Sequence, residues 1–241
     1  MITIAEIKRR AANGTQKYSW EDLKRFRAED EAKQPERFKK QFDEFRAEKI
    51  LSRCGVLPIH QNCHVDNYEI LTSGHRKAAN FAKWYIDNFY LNNGTGFIFG
   101  GKPGTGKNHL AAAICNALME DGYSCLIITV NELMQKLRAC YRSGSDATED
   151  QFIKTMIDFD LLVLDEVGLQ RNSDAERLAL NQIIDQRLCR FKPTGMLTNL
   201  PAGSEDPSEP TMNSVLGVRI MDRMRTNGGK WISFEWQSYR K

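Results

Sequence analysis

The sequence predicts an α/β domain built on a mostly parallel sheet, preceded by a small helical module. Three observations predict it. From Gly96 onward, short apolar runs alternate with longer helical patterns, as in a sheet with helices on both faces. The first of these runs leads directly into a glycine-rich loop, Gly101-Lys-Pro-Gly-Thr-Gly-Lys107. The first 50 residues differ in character, with many charges and few β-branched side chains. A chain of 241 residues holds one such domain and a short extension.

Residues 1–50 read as the helical module. Glu21, Asp22, Lys24, Arg25, Arg27, Glu29, Asp30 and Glu31 crowd one short run. Gln34-Pro35 breaks the pattern, because proline disfavours helix before it and fits the first turn of a new one. Beyond it Phe38, Phe42 and Phe45 recur at i, i+4 and i+7, one face of a helix. Residues 51–75 have no clear period and read as an ordered connector. Residues 76–92 form a helix with Phe81, Ala82, Tyr85, Ile86 and Phe89 on one side. The domain 76–241 continues with strand 97–100, helix 109–121 and strand 125–130. A helix over 131–142 follows, with Asn131 as its N-cap. Strand 160–167, helix 176–190, strand 194–200 and strand 231–236 complete it. Residues 201–214, rich in Pro, Ser and Glu, read as an exposed loop.

Composition removes several classes of function. No apolar run reaches the roughly 18 residues of a membrane span. MITIAEIKRR has its charges after a very short apolar stretch, the wrong order for a secretory signal. The six cysteines are scattered singly, as in a reduced cytoplasmic protein. A net charge of +3 permits nucleic-acid contact without arguing for it.

The chemistry gathers at strand ends. The loop Gly101, Lys102, Pro103, Gly104, Thr105, Gly106, Lys107 joins an apolar strand to a helix. Glycines let backbone N–H groups turn in on phosphates, and the helix N-terminus adds positive potential. Lys107 would reach the β- and γ-phosphates of a nucleotide. Asn108 stands where a Mg²⁺-binding Ser or Thr usually follows that lysine; its amide oxygen is a hard donor, direct or through water. His109 reads as a helix-start residue. Asp165 and Glu166 close an apolar strand, placed for Mg²⁺ and for an attacking water. Asn199 ends the next strand, beside the same water or as a turn residue. Arg219 and Arg223 lie four apart on a short helix. They read either as a guanidinium aimed at a neighbouring subunit's phosphate or as a surface pair with Asp222. Arg240 follows the last strand as a phosphate contact or an exposed terminal side chain. Tyr141, between Cys140 and Arg142 and near Arg138, reads as a ring for stacking on a DNA base or as a core cover. Cys54, His60, Cys63 and His64 lack zinc-finger spacing and read as packing beside a nucleotide base, with Tyr68.

Taken together, GKPGTGKNHLAAAICN, LIITV, LLVLDE, PTGMLTN, RIMDRMR and the closing SYR resemble the bacterial DnaC-type loaders of the replicative DNA helicase. LPIHQNC and NY resemble the linker of that family, and Asn108 matches its pattern. The resemblance covers about residues 51–241. It implies an AAA+ P-loop ATPase with strand order 5-1-4-3-2 and no C-terminal lid domain. It implies ATP on Lys107 and its loop, Mg²⁺ and water served by Asp165 and Glu166, and Asn199 as sensor. Arg223 becomes a finger acting in trans, with Arg219 and Arg240 as supporting phosphate contacts. Tyr141 falls in the DNA-binding face, and residues 1–50 become the helicase-binding module. The implied assembly is an open spiral, six copies on a hexameric helicase, that places the ring on single-stranded DNA. Two other readings remain: a transposition helper ATPase binding duplex DNA and a transposase, and a nucleotide-binding adaptor without turnover.

Overall fold

The structure, a computed structural model, describes residues 58–141, 148–168, 174–204, 206 and 208–239. The expectations for Phe38, Phe42, Phe45, Arg142 and Arg240 lie outside the described residues. Strands β1 (Phe97–Gly101), β2 (Cys125–Thr129), β3 (Leu161–Val167), β4 (Thr194–Thr198) and β5 (Lys230–Phe234) form one sheet. Their order is β2-β3-β4-β1-β5, and every neighbouring pair runs parallel. This is the predicted order, read from the opposite edge. Helix α1 (Ser73–Asp87) precedes β1. Parallel strands need long crossovers, and the later helices supply them: α2 (Lys107–Glu120), α3 (Val130–Ala139), α4 (Glu149–Asp158), α5 (Asp174–Cys189), α6 (Met212–Leu216) and α7 (Val218–Arg225).

Each side of the sheet has its own buried side chains. Phe97, Phe99, Val163, Leu197 and Phe234 pack with Ala78, Ala82 and Tyr85 of α1 and Leu110, Ile114 and Leu118 of α2. The alternate positions Ile98, Leu162, Leu164 and Met196 are buried as well. Near-continuous apolar strands follow from burial on two faces.

Three local expectations change. The helix after β2 starts earlier, because Thr129 and not Asn131 is its N-cap: the Thr129 hydroxyl accepts the Glu132 N–H. Helix α4 occupies a stretch for which the sequence reading predicts no element. A capping box starts it, Thr148 and Gln151 satisfying each other's backbone N–H. Phe152, Ile153, Met156 and Ile157 bury its inner face. The segment 201–214 is not loop throughout, since Thr211 caps α6 and Met212 is fully buried.

Helix α4 ends on a buried cation. Arg187 of α5 is fully buried. Its guanidinium donates to the carbonyls of Met156, Ile157 and Phe159 at 2.8–3.1 Å, and to Pro193 and Thr194. The carbonyls that end a helix lack intrahelical partners, and a cation there also meets the negative end of the helix dipole. Burial pulls the Arg187 guanidinium down to about 9, against the opposing charge of Asp160.

All five strands end on the same side of the sheet. In such sheets the ligand crevice lies outside the carboxyl ends of the strands.

Candidate functional site

The loop between β1 and α2 is forced into its shape by close approaches. Gly101 adopts φ +138°, and a Cβ there would lie 2.3 Å from the Phe234 carbonyl oxygen. Gly106 adopts φ +90°, and a Cβ there would meet the Tyr68 ring at 2.6 Å. The Thr105 hydroxyl donates to the Lys102 carbonyl at 2.7 Å and closes the loop on itself. Thr105 is therefore fully buried, and its side chain is not offered to a ligand.

Lys107, the first residue of α2, is buried. Its Nζ donates to the carbonyls of Gly101 and Lys102, each at 2.7 Å, and to Asn199 Oδ1 at 2.9 Å. Burial lowers the amine to about 8, and the charge of Asp165 acts the other way. The contact with Asn199 draws together two groups that stand far apart in the sequence. The predicted sensor position thus touches the predicted phosphate lysine.

Asp165 and Glu166 sit at a bulge. The β3–β4 register shifts between Leu164 and Val167, and Glu166 adopts φ 55°. Bulges redirect side chains where a strand's alternation would not place them, and a non-glycine residue in the left-handed region is a constraint found often at functional sites. Asp165 Oδ1 accepts the Glu166 N–H at 2.7 Å, and Oδ2 accepts Asn108 Nδ2 at 2.6 Å. Burial raises the Asp165 carboxyl above its ordinary range; the Glu166 N–H, Asn108, Lys107 and His60 oppose that rise. The Glu166 side chain is exposed.

These groups line a cleft of about 580 Å³. Pro103, Gly104, Gly106, Lys107, Asn108 and His109 form one wall, and Asp165, Glu166 and Asn199 another. His60, Asn67, Tyr68, Glu69 and Tyr239 close the end expected to hold a base. The connector is pinned there: Asn116 of α2 donates to the carbonyls of His60, Gln61 and Cys63 at 2.9–3.2 Å. His109 does more than start the helix. Its Nε2 lies 3.0 Å from the His64 carbonyl, and its ring lies 5.4 Å from Tyr68. His60 Nδ1 is 3.9 Å from Cys63 Sγ, a contact within the connector.

Other predicted residues lie elsewhere. Arg219 Nη2 and Arg223 Nε both reach Asp185 of α5, at 2.6 and 2.8 Å. The pairing expected with Asp222 is thus replaced by one across two helices, and neither arginine lines the cleft. Arg138 Nη1 pairs with the buried Glu176 at 3.0 Å. Tyr141 is 61% exposed and does not cover the core. Sequence reasoning missed Asp185, and it met Tyr239 only within the closing SYR, with no role in the cleft. Asp185 carries no local signal, since its partners stand more than 30 residues downstream.

Comparison with known proteins agrees with this geometry. The chain belongs to the family of IstB-like ATP-binding proteins, which matches residues 29–241. It is 44% identical over 195 residues to the replicative helicase loader DnaC of Escherichia coli K12, covering 81% of this chain and 76% of that protein. It is 43% identical over 208 residues to the uncharacterized protein YdaV of the same strain, covering 86% and 80%. The crystal structure of the DnaC helicase loader superposes with a TM-score of 0.62 at 27% identity, over 73% of this chain and 99% of that one. AMPPCP-bound DnaA from Aquifex aeolicus shares the fold, with a TM-score of 0.57 at 22% identity over 74% of this chain and 50% of that one. The fold is that of the AAA+ proteins, and the family binds ATP. Among the described residues no helix is long and apolar enough to cross a membrane.

Proposed function

We propose that this member of the IstB-like ATP-binding family is an ATP-dependent loader of a replicative hexameric DNA helicase onto single-stranded DNA. One observation carries the reading: 44% identity to DnaC over most of both chains, in a chain whose phosphate loop, acidic strand end and Asn199 meet in one cleft.

In this reading the loop's N–H groups and the Lys107 amine hold the phosphates of ATP. Asp165 offers a desolvated carboxylate to a hard divalent cation, and the Asn108 amide, which donates to it through Nδ2, would turn its oxygen to the ion instead. Asp165 and Asn108 would hold Mg²⁺ there, directly or through water, and the ion would neutralise phosphate charge. Glu166 polarises the attacking water, and Asn199, already on the Lys107 amine, reports the state of the γ-phosphate. The three N–H donors of Lys107 are all taken, so it must release at least one acceptor to meet a phosphate. Release of Asn199 would give a physical route from occupancy to shape.

Arg223 works in trans on the nucleotide of a neighbouring subunit, with Arg219 beside it and Arg240 as a further phosphate contact. Tyr141, with Arg138 and Arg142, meets single-stranded DNA. Phe38, Phe42 and Phe45 of residues 1–50 hold the helicase. Copies assemble as an open spiral, six on the ring, and hydrolysis resets the complex in the cytoplasm.

The test is co-purification with the host's replicative helicase, in parallel for the full chain and a chain lacking residues 1–50. The full chain is expected to retain the helicase with ATP, and the truncated one to lose it. Failure of the full chain to hold the helicase, together with capture of a transposase and a preference for duplex DNA, would make it a transposition helper instead. Tight ATP binding with no turnover, with or without DNA, would make it a non-catalytic adaptor.

A further inference from the structure

The phosphate loop is gripped by two parts of the chain far from it in sequence. Tyr68 Oη and Trp236 Nε1 both donate to the Thr105 carbonyl, at 3.2 and 2.9 Å. The Tyr239 N–H donates to the neighbouring Gly104 carbonyl at 2.9 Å. The Tyr239 hydroxyl in turn donates to the Glu69 carbonyl, which joins the C-terminal segment to the connector. Two successive carbonyls of the loop are thus fixed by groups outside it.

The peptide unit gives this grip a consequence. A trans peptide is planar, so its C=O and N–H point in opposite directions. Fixing the Gly104 carbonyl fixes the Thr105 N–H on the opposite side of that peptide, and fixing the Thr105 carbonyl does the same for the Gly106 N–H. Successive N–H groups converging on one side form an anion-binding nest. Both acceptor directions of the Thr105 carbonyl are occupied, so the peptide has little freedom to flip.

Trp236 is itself locked. Its ring lies 4.4 Å from His75 at 34° and 4.8 Å from Phe234. A Cβ at Gly74 would meet it at 2.8 Å, so glycine there admits the indole. His75 is buried, with Nδ1 2.6 Å from the Thr72 hydroxyl at the start of α1. The indole N–H is the polar end of an otherwise apolar contact, and its acceptor is the loop.

We propose that Trp236 is a positioning residue for the nucleotide: with Tyr68 it fixes the Thr105 carbonyl and so holds the loop's N–H groups ready for phosphate before ATP arrives. The inference rests on the cleft being the ATP site. It also makes the segment 236–239 part of the binding apparatus, so that anything moving the C-terminus alters ATP affinity.

The test uses the full chain and a fluorescent ATP analogue. Trp236→Phe keeps an aromatic ring and removes the donor. Its ATP affinity is expected to fall about threefold to tenfold, the size of one lost hydrogen bond, while the melting temperature stays within a few degrees. Tyr68→Phe is expected to do the same, and it carries the test alone if Trp236→Phe fails to fold. The double variant is expected to lose more than the product of the single losses, because the buried carbonyl then has no donor. Loop positioning also predicts where the loss falls: ATP and inorganic pyrophosphate weaken together, and adenosine does not. Unchanged ATP affinity in both single variants overturns the inference, as does an equal loss for adenosine. Lys107→Ala is measured alongside. If it too binds ATP normally, the site assignment fails; if it alone is impaired, only the role of Trp236 fails.

Discussion

Among the described residues, the cleft and the arginine pair of α7 are the two groups for which phosphate contacts are proposed, and they are built in opposite ways. In the cleft, Lys107, Asn108, Asp165 and Asn199 are partnered with one another or with the loop itself. Those bonds are ones that a nucleotide and its cation would replace. On α7, Arg219 and Arg223 share one carboxylate on another helix, Asp185, and stand apart from the cleft lining. Burial pushes the Asp185 carboxyl up, but hydrogen bonds from Arg223 and Arg219 outweigh it and hold it below the usual carboxylate range. The contrast is what the proposed division of labour expects: cleft groups that one subunit brings together by itself, and arginines held away from that cleft on Asp185.

Four changes would sharpen or break that contrast. The largest effect is expected from Arg223→Ala, which should lower ATP turnover by about 10³-fold or more, the range for a lost arginine finger, and leave ATP affinity nearly unchanged. Steady-state turnover beside equilibrium nucleotide binding checks this, and a parallel loss of affinity would place Arg223 in its own subunit's cleft. Lys107→Ala should do the reverse in kind: ATP affinity falls about tenfold to a hundredfold with one charge-assisted contact gone. Titration with a fluorescent nucleotide reads it.

Tyr141→Ala lies outside both regions. It should weaken single-stranded DNA by about 1–3 kcal/mol if the ring stacks on a base and leave nucleotide affinity alone. Fluorescence anisotropy of a labelled oligonucleotide measures the first and nucleotide titration the second. Loss of both would mean that the exposed ring is coupled to the cleft.

The smallest effect concerns pH. The Lys107 amine titrates at about 8, below the ordinary lysine value, because burial disfavours its charge. Below that pH the free cleft already carries the positive amine. Above it the amine is neutral, and binding phosphate must take up a proton. ATP affinity is therefore expected to be highest below about pH 8 and to fall by up to about tenfold per pH unit above it. Lys107→Arg should flatten the profile, since a guanidinium stays charged. A wild-type affinity that rises with pH through this window would contradict the assignment.

How legible these regions were depends on how local their signals are. The loop, the acidic strand end and the alternation of strands and helices follow from patterns within single segments. The sheet order comes from the family resemblance. Helix α4 had a readable start in Thr148-x-x-Gln151, but the polar run before it hid the short apolar face. Asn131 is a reasonable cap by type; Thr129 wins because it stands where the chain leaves β2, and Val130 already begins the turn. Asp222 is the neighbour that helical spacing offers Arg219, three residues before it. Asp185 takes both because α5 packs against α7, a tertiary fact with no trace at short range. The grip of Trp236 on Thr105 spans 131 residues and is invisible to any periodicity.

The proposed division of labour is tested most directly by mixing two inactive proteins under conditions where subunits assemble. Arg223→Ala keeps an intact cleft, and Lys107→Ala keeps an intact arginine. If the arginine acts across a subunit boundary, a mixture contains interfaces where both are present, and ATP turnover is restored well above that of either protein alone. Mixtures as inactive as each variant by itself, with assembly confirmed by sedimentation, would contradict the account.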